Sequence, residues 1–167
     1  MTMRPPDLRI LVCGTADRGD DGAALAAISH LLPVLPDSIK ERIEIRRCVM
    51  LDVTDLIAVG EGVSCLVIDT VVGVPAGTIV TRSLDELARN PAGLAPRSSH
   101  ALSVDDALLI AEAVRGSLPA GTFVGIGGKW FGYGERFSRA VRCGIPAFGE
   151  AIKVAVEELL AVPRQVP

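Results

Sequence analysis

Apolar, β-branched runs and helix-like stretches take turns along this chain. Leu8 to Cys13 is a short apolar run that breaks at Gly14, and an alanine-rich helical pattern follows from about Asp20 to Leu32, where Pro33 and Pro36 stop it. Ile43 to Cys48 alternates, with Ile43 and Ile45 set against Glu44 and Arg46, and a short helix from Thr54 to Val59 ends at Gly60. Val63 to Ile68 is continuously apolar and too short for a surface helix. It predicts a strand covered on both faces and ending at Asp69. Gly77 to Arg82 predicts another strand after the Gly73 to Gly77 turn. Leu84 to Ser99, with Asn90-Pro91, Gly93 and Pro96, reads mainly as loop.

In the second half, Val104, Ala107, Leu108, Ala111 and Val114 fall on one helical stripe, while Asp105, Asp106, Glu112 and Arg115 face away. Phe123 to Ile126 predicts a last core strand, and the glycine-rich stretch Gly127 to Gly134 a loop. A final helix from Ile145 to Leu160 carries Ile152, Val156 and Leu159, and Pro163 to Pro167 should fray. Alternating strands and helices predict a three-layer α/β/α fold. Its sheet should be twisted and mostly parallel, of about five strands, with place for one antiparallel strand.

Composition narrows this to one domain spanning residues 1–167. The chain is 49% apolar but only 4% aromatic, so Val, Ile, Leu and Ala must fill the core. The most membrane-like stretch, Gly62 to Val80, carries Asp69, Gly73, Pro75 and Gly77, and reads as two strands and a turn instead of a span. The residues Arg4, Pro5, Pro6 and Asp7 lack the apolar core of a secretory signal, which points to the cytoplasm. A net charge of −3 with scattered arginines (Arg46-Arg47, Arg136, Arg139, Arg142) argues against nucleic acid as a partner. Cys13, Cys48, Cys65 and Cys143 show no C-x-x-C spacing; Cys13 and Cys65 sit in apolar runs and read as small hydrophobes.

Three polar residues stand out against this apolar frame. Asp21 lies in the acidic turn after the first strand, Asp69 closes the Val63 strand, and His100 precedes the Val104 helix. In open α/β sheets, ligands collect outside the carboxyl ends of the strands. Two carboxylates and an imidazole there make an oxygen and nitrogen donor set suited to nickel, zinc, iron or manganese. The residues also have plainer readings. Asp20 or Asp21 caps the following helix, Asp69 is a turn residue, His100 an ordinary helix-start residue, and His30, beside Leu31 and Leu32, is structural. The C-terminal glycine loop gathers Trp130, Phe131 and Tyr133 and reads either as a partner-docking surface or as loop filling.

The order Ile10-Leu11-Val12-Cys13-Gly14 with Asp20-Asp21-Gly22, then Cys65-Leu66-Val67-Ile68-Asp69-Thr70, then Ser98-Ser99-His100-Ala101-Leu102 resembles the hydrogenase maturation proteases. The likeness extends over most of the chain, including the segment from Gly144-Ile145-Pro146 into the last helix. It implies a nickel-dependent endopeptidase that trims the carboxyl terminus of the hydrogenase large-subunit precursor. It also implies that Asp21, Asp69 and His100 act as the metal-binding and catalytic trio. The nickel is then supplied by the substrate, with another divalent metal as the alternative. The chain departs from the family pattern at Val12, where a glycine is expected, at Thr15, where an asparagine is, and at Arg18, where an apolar residue is.

No Ser-His-Asp, Cys-His or H-E-x-x-H arrangement is legible, which disfavours a self-contained protease. A nucleotide-binding oxidoreductase ranks lower still, since Gly14 alone does not make the G-x-G-x-x-G fingerprint. The rival reading is a non-catalytic α/β binding module of the same fold, using the strand-end crevice for a protein partner or small ligand.

Overall fold

The computed structural model describes residues 5–91, 93–95, 102–134 and 136–163. Its elements in chain order are β1 (Leu8–Cys13), a 3₁₀ turn (Gly19–Gly22), α1 (Ala23–Leu31), a 3₁₀ turn (Leu32–Val34), α2 (Asp37–Lys40), β2 (Ile43–Cys48) and α3 (Val53–Ile57). They continue with β3 (Ser64–Val71), β4 (Ile79–Ser83), α4 (Leu84–Arg89), α5 (Val104–Arg115), β5 (Gly121–Gly127) and α6 (Arg139–Ala161). The five strands lie in the order β2-β1-β3-β5-β4, all parallel except β4, which runs antiparallel to β5. The expected mostly parallel sheet with one antiparallel strand is the one found.

Side-chain alternation sorts the core into two layers. Leu8, Ile10 and Val12 of β1 with Leu66 and Ile68 of β3 pack against α1 and α6, around Phe148. Leu11, Cys13, Cys65, Val67 and Phe123 point to the other face, under α3, α4 and α5. That second layer is tied laterally by Arg89, which donates to Glu112 at 2.9 and 3.0 Å, and by Arg115, which donates to the carbonyls of Leu56 and Ile57. Among the described residues no helix is long and apolar enough to cross a membrane. Gly62 to Val80 is β3, a turn and the start of β4.

Several boundaries differ from expectation, each for a physical reason. The stretch from Leu84 is not a loop at its start: Ser83 accepts a hydrogen bond from the Glu86 N–H and caps α4, which buries Leu84, Leu87 and Ala88. Residues 92 and 96–99 of that stretch lie outside the described residues. β3 does not stop at Asp69; it continues to Val71 because β5 remains beside it, pairing Thr70 with Ile126 and Val71 with Gly127. α6 starts at Arg139, where Ser138 caps it, and carries Pro146 inside. Val114 is 63% exposed, so the buried stripe of α5 is Ala107, Leu108 and Ala111. Of the carboxyl end expected to fray, residues 164–167 lie outside the described residues.

The strand order has one further consequence. From β1 the sheet grows outward through β2 on one side and through β3 and β5 on the other, so the chain reverses its direction of growth between β1 and β3. α1, which follows β1, covers one face of the sheet and α3, which leads into β3, the other, and a crevice opens at these carboxyl ends. β1 pairs with β3 only as far as Val12 and Ile68, which leaves Asp69 to Val71 without a β1 neighbour at that crevice.

Candidate functional site

A cavity of about 340 Å³ occupies the crevice beyond the carboxyl ends of β1 and β3. Its lining includes Asp21, Asp69 and Thr70, the turn residues Thr15 and Arg18, Val49 to Leu51 after β2, and Leu102 to Asp105 at the start of α5. Two of the three predicted site residues, Asp21 and Asp69, are thus brought to one cavity, and both are buried. His100 lies outside the described residues; Leu102, two positions later in the chain, is on the cavity wall.

Asp21 is placed by the turn that precedes it. Gly14 ends β1 with φ +125, and a Cβ on it would stand 2.0 Å from the Asp21 carbonyl oxygen, so only glycine permits the turn to close this tightly. The Thr15 N–H then donates to Oδ2 of Asp21 at 2.8 Å, and the Asp21 N–H donates to the Arg18 carbonyl at 3.2 Å. The turn folds back over its own carboxylate.

Its neighbour Asp20 does something different. Fully buried, it accepts from the N–H groups of Lys129 (2.8 Å) and Trp130 (2.9 Å) at Oδ2 and from that of Ser138 (2.6 Å) at Oδ1. The Asp20 N–H also donates to the Trp130 carbonyl at 2.7 Å, and its own carbonyl accepts from Thr70 Oγ1 at 2.9 Å. One carboxylate therefore locks the glycine-rich loop, the start of α6 and the first turn together. Neither acid caps α1: its N-cap is Gly22, with no side-chain cap bond.

Asp69 sits on β3 opposite Gly125. Strand alternation turns it toward the α5 layer, as it turns Val67 and Val71, while Thr70 faces α1 and reaches Asp20. Oδ1 of Asp69 accepts the N–H of Thr70 at 2.7 Å. Burial pushes the Asp69 carboxyl up to about 7, only partly opposed by that bond. A carboxyl poised near neutrality in a cavity is a mark of functional sites.

The plain readings fare unevenly. His30 is exposed near the end of α1, on neither core layer. Cys13 and Cys65 are buried, and burial pushes the Cys65 thiol up to about 12, so it is no nucleophile. Asp105, expected to face away from the core, lines the cavity. Among the described residues no three His, Cys, Asp or Glu side chains gather closely enough to hold a metal ion by themselves. The carboxylates of Asp21 and Asp69 suit a divalent cation as oxygen donors, and they leave room for ligands from elsewhere. Sequence reasoning missed the latch made by Asp20. The signal available was the acid pair itself, since adjacent residues in a turn cannot both face one cavity.

No protein-family model matches the chain, and no curated protein matches it in sequence. Solved structures do. The [NiFe] hydrogenase maturation protease HybD from Thermococcus kodakarensis is 25% identical, with a TM-score of 0.61 over 89% of this chain and 98% of that one. The hydrogenase maturating endopeptidase HybD from E. coli is 19% identical, with a TM-score of 0.70 over 90% of this chain and 92% of that one. A second Thermococcus kodakarensis [NiFe] hydrogenase maturation protease, HycI, is 15% identical with a TM-score of 0.61, over 90% of this chain and 92% of that one. The last two likenesses are of fold.

Proposed function

Starting from a chain that resembles the hydrogenase maturation protease family in fold and in the layout of its strand ends, we propose that it is an endopeptidase of that kind. Its substrate is then the precursor of a nickel-containing hydrogenase large subunit, from which it removes the carboxyl-terminal extension. Nickel already inserted in the precursor is recognised by Asp21, Asp69 and His100. The observation that carries this reading is the placement of Asp21 and Asp69, both buried, on one cavity at the β1/β3 crevice. The arrival of the chain at the same cavity at Leu102, just after His100, supports the third ligand.

The residues of the chain have separate tasks in such a reaction. Asp21 is held by the Thr15 N–H and presents a fixed carboxylate. Asp69 carries a proton up to about pH 7 and gives it up when a cation approaches, so binding releases a proton to solvent. The apolar walls, from Leu51, Val71 and Val104, keep water sparse and strengthen every charge interaction inside. Asp21, Asp69 and His100 would hold the precursor's nickel, which would supply Lewis-acid polarisation of the scissile carbonyl or a bound hydroxide.

The test is cleavage of nickel-loaded and nickel-free precursors, followed by mass spectrometry. Loaded precursor is expected to lose its extension and nickel-free precursor to stay whole. Asp21→Asn, Asp69→Asn and His100→Ala should each lower the cleavage rate by more than about a hundredfold, as loss of one charge contact to a reacting centre does, with the fold intact by circular dichroism. Full cleavage by all three variants rejects the assignment. Binding of precursor without cleavage by the unaltered protein favours a non-catalytic module.

A further inference from the structure

The cavity that holds Asp21 and Asp69 also carries a cation, supported by a segment far away in the chain. Among the described residues that line it, Arg18 is the one cation, facing three carboxylates, Asp21, Asp69 and Asp105. Its guanidinium nonetheless stacks on the Tyr133 ring, 4.0 Å from the centroid, and donates to the Tyr133 hydroxyl at 3.0 Å. Among the described residues no carboxylate forms an ion pair with it.

The backbone beneath this pair is held firmly. The Gly19 N–H donates to the Gly134 carbonyl at 2.7 Å and the Gly134 N–H to the Asp17 carbonyl at 2.8 Å. Gly19, at φ +55, lies so close to Trp130 that a Cβ would stand 2.5 Å from the indole Cδ1. The Asp20 carboxylate fixes the N–H groups of Lys129 and Trp130 from below. Yet Trp130 is 53% and Tyr133 78% exposed, while Phe131 reaches the cavity lining. Exposed aromatics on a rigid base are costly to leave in water and suited to contact with another chain.

An arginine fork already ordered by an aromatic ring loses little freedom when it grips a carboxylate in two-pronged fashion. Asp21 and Asp105 on the lining would repel an acidic residue of an entering peptide, and Arg18 would attract it. We propose that Arg18, braced by Tyr133, is a specificity-determining residue. It reads an acidic side chain of the peptide segment that enters the cavity, while Trp130 and Tyr133 form the edge along which that segment lies. This rests on the peptide-cleaving function proposed above and names a feature of its substrate.

The chain has one tryptophan, and it stands on this edge, so docking is read without cleavage. The full chain is titrated, following Trp130 fluorescence, with a tryptophan-free apolar dodecapeptide bearing a single Glu and with its Gln twin. The Glu peptide should bind about tenfold or more tightly than the Gln peptide, as a charge-assisted contact implies. That ratio should fall to about one in Arg18→Gln and be partly kept in Arg18→Lys. Raising salt should weaken the Glu peptide alone. Equal binding of the two peptides, no binding of either, or a preference that survives Arg18→Gln overturns the inference. Cleavage of loaded precursor alongside charge-indifferent binding would leave the enzyme standing and remove this role for Arg18. Charge-dependent binding without cleavage would do the reverse.

Discussion

Replacing Asp69 by asparagine should make the metal-free protein more resistant to unfolding at neutral pH, and the size of the effect follows from its burial. In the unfolded chain an aspartate ionises near 3.8, whereas burial in β3 holds the proton on Asp69 until about pH 7. Between those values the unfolded state has released a proton that the folded state keeps, so stability falls as pH rises through this window and is level above it. From pH 4.5 to pH 8 the loss amounts to about 3 kcal/mol, a sizeable part of the 5–15 kcal/mol that holds a domain together. Asparagine is neutral throughout and keeps an oxygen to accept the Thr70 N–H. The packing change that asparagine brings is the same at both pH values, so it cancels when the two are compared. Urea unfolding with a chelator present, at pH 4.5 and pH 8, measures the quantity directly. With a urea slope near 2 kcal/mol per molar, the unfolding midpoint of the variant relative to the unaltered protein should rise by about 1.5 M between the two pH values. Parallel pH dependence in the two proteins would refute the claim that burial of this carboxyl is what strains the fold.

Asp20→Ala should cost at least about 3 kcal/mol in urea unfolding, because three backbone N–H groups lose their acceptor, whereas Asp21→Asn should cost about 1 kcal/mol or less; equal costs would contradict the division of labour between the two acids. Gly14→Ala places a methyl 2.0 Å from the Asp21 carbonyl oxygen in a left-handed backbone, and should leave little soluble folded protein by circular dichroism. At pH 8 a thiol reagent should label exposed Cys143 first, with buried Cys13 and Cys65 reacting only on unfolding; early labelling of Cys65, whose thiol burial pushes up to about 12, would show that the β3 layer opens.

The sheet was legible because β1, β3 and β5 carry short, continuously apolar runs and β2 alternates apolar with charged residues, and such runs have few other stable uses. The limits of the runs were less so. Asp69 looks like a strand end because it interrupts an apolar stretch, yet β3 continues two residues beyond it, since β5 supplies hydrogen bonds that no local pattern records. α4 was hidden because Asn90-Pro91 and Gly93 dominate its neighbourhood, although the capping pair Ser83 and Glu86 was present. The site was legible to the extent that topology decides it. A parallel sheet that reverses its growth between β1 and β3 exposes those carboxyl ends, and Asp21 and Asp69 are buried acids on the cavity there. Arg18 and Asp105 join the cavity through the path of the turn and the placement of the start of α5, which depend on packing across the whole domain.

The acid pair shows why a site of this kind needs residues that never touch its ligand. A turn carrying a buried carboxylate toward a cavity is pushed outward by the cost of that burial, so something must hold its backbone in place. Asp20 does so by accepting three N–H bonds from two remote segments, Lys129-Trp130 and Ser138, while Thr70 grips its carbonyl from the residue next to Asp69. Both cavity carboxylates are thereby fixed through one hub: Asp21 as its chain neighbour, Asp69 as the neighbour of its hydrogen-bond donor. Loosening Asp20 should let both move together, whereas changing Asp21 or Asp69 alters one donor and leaves the frame. Asp20→Asn therefore ought to weaken cleavage and blur the Trp130 environment at once, while Asp21→Asn abolishes cleavage with the Trp130 emission unmoved.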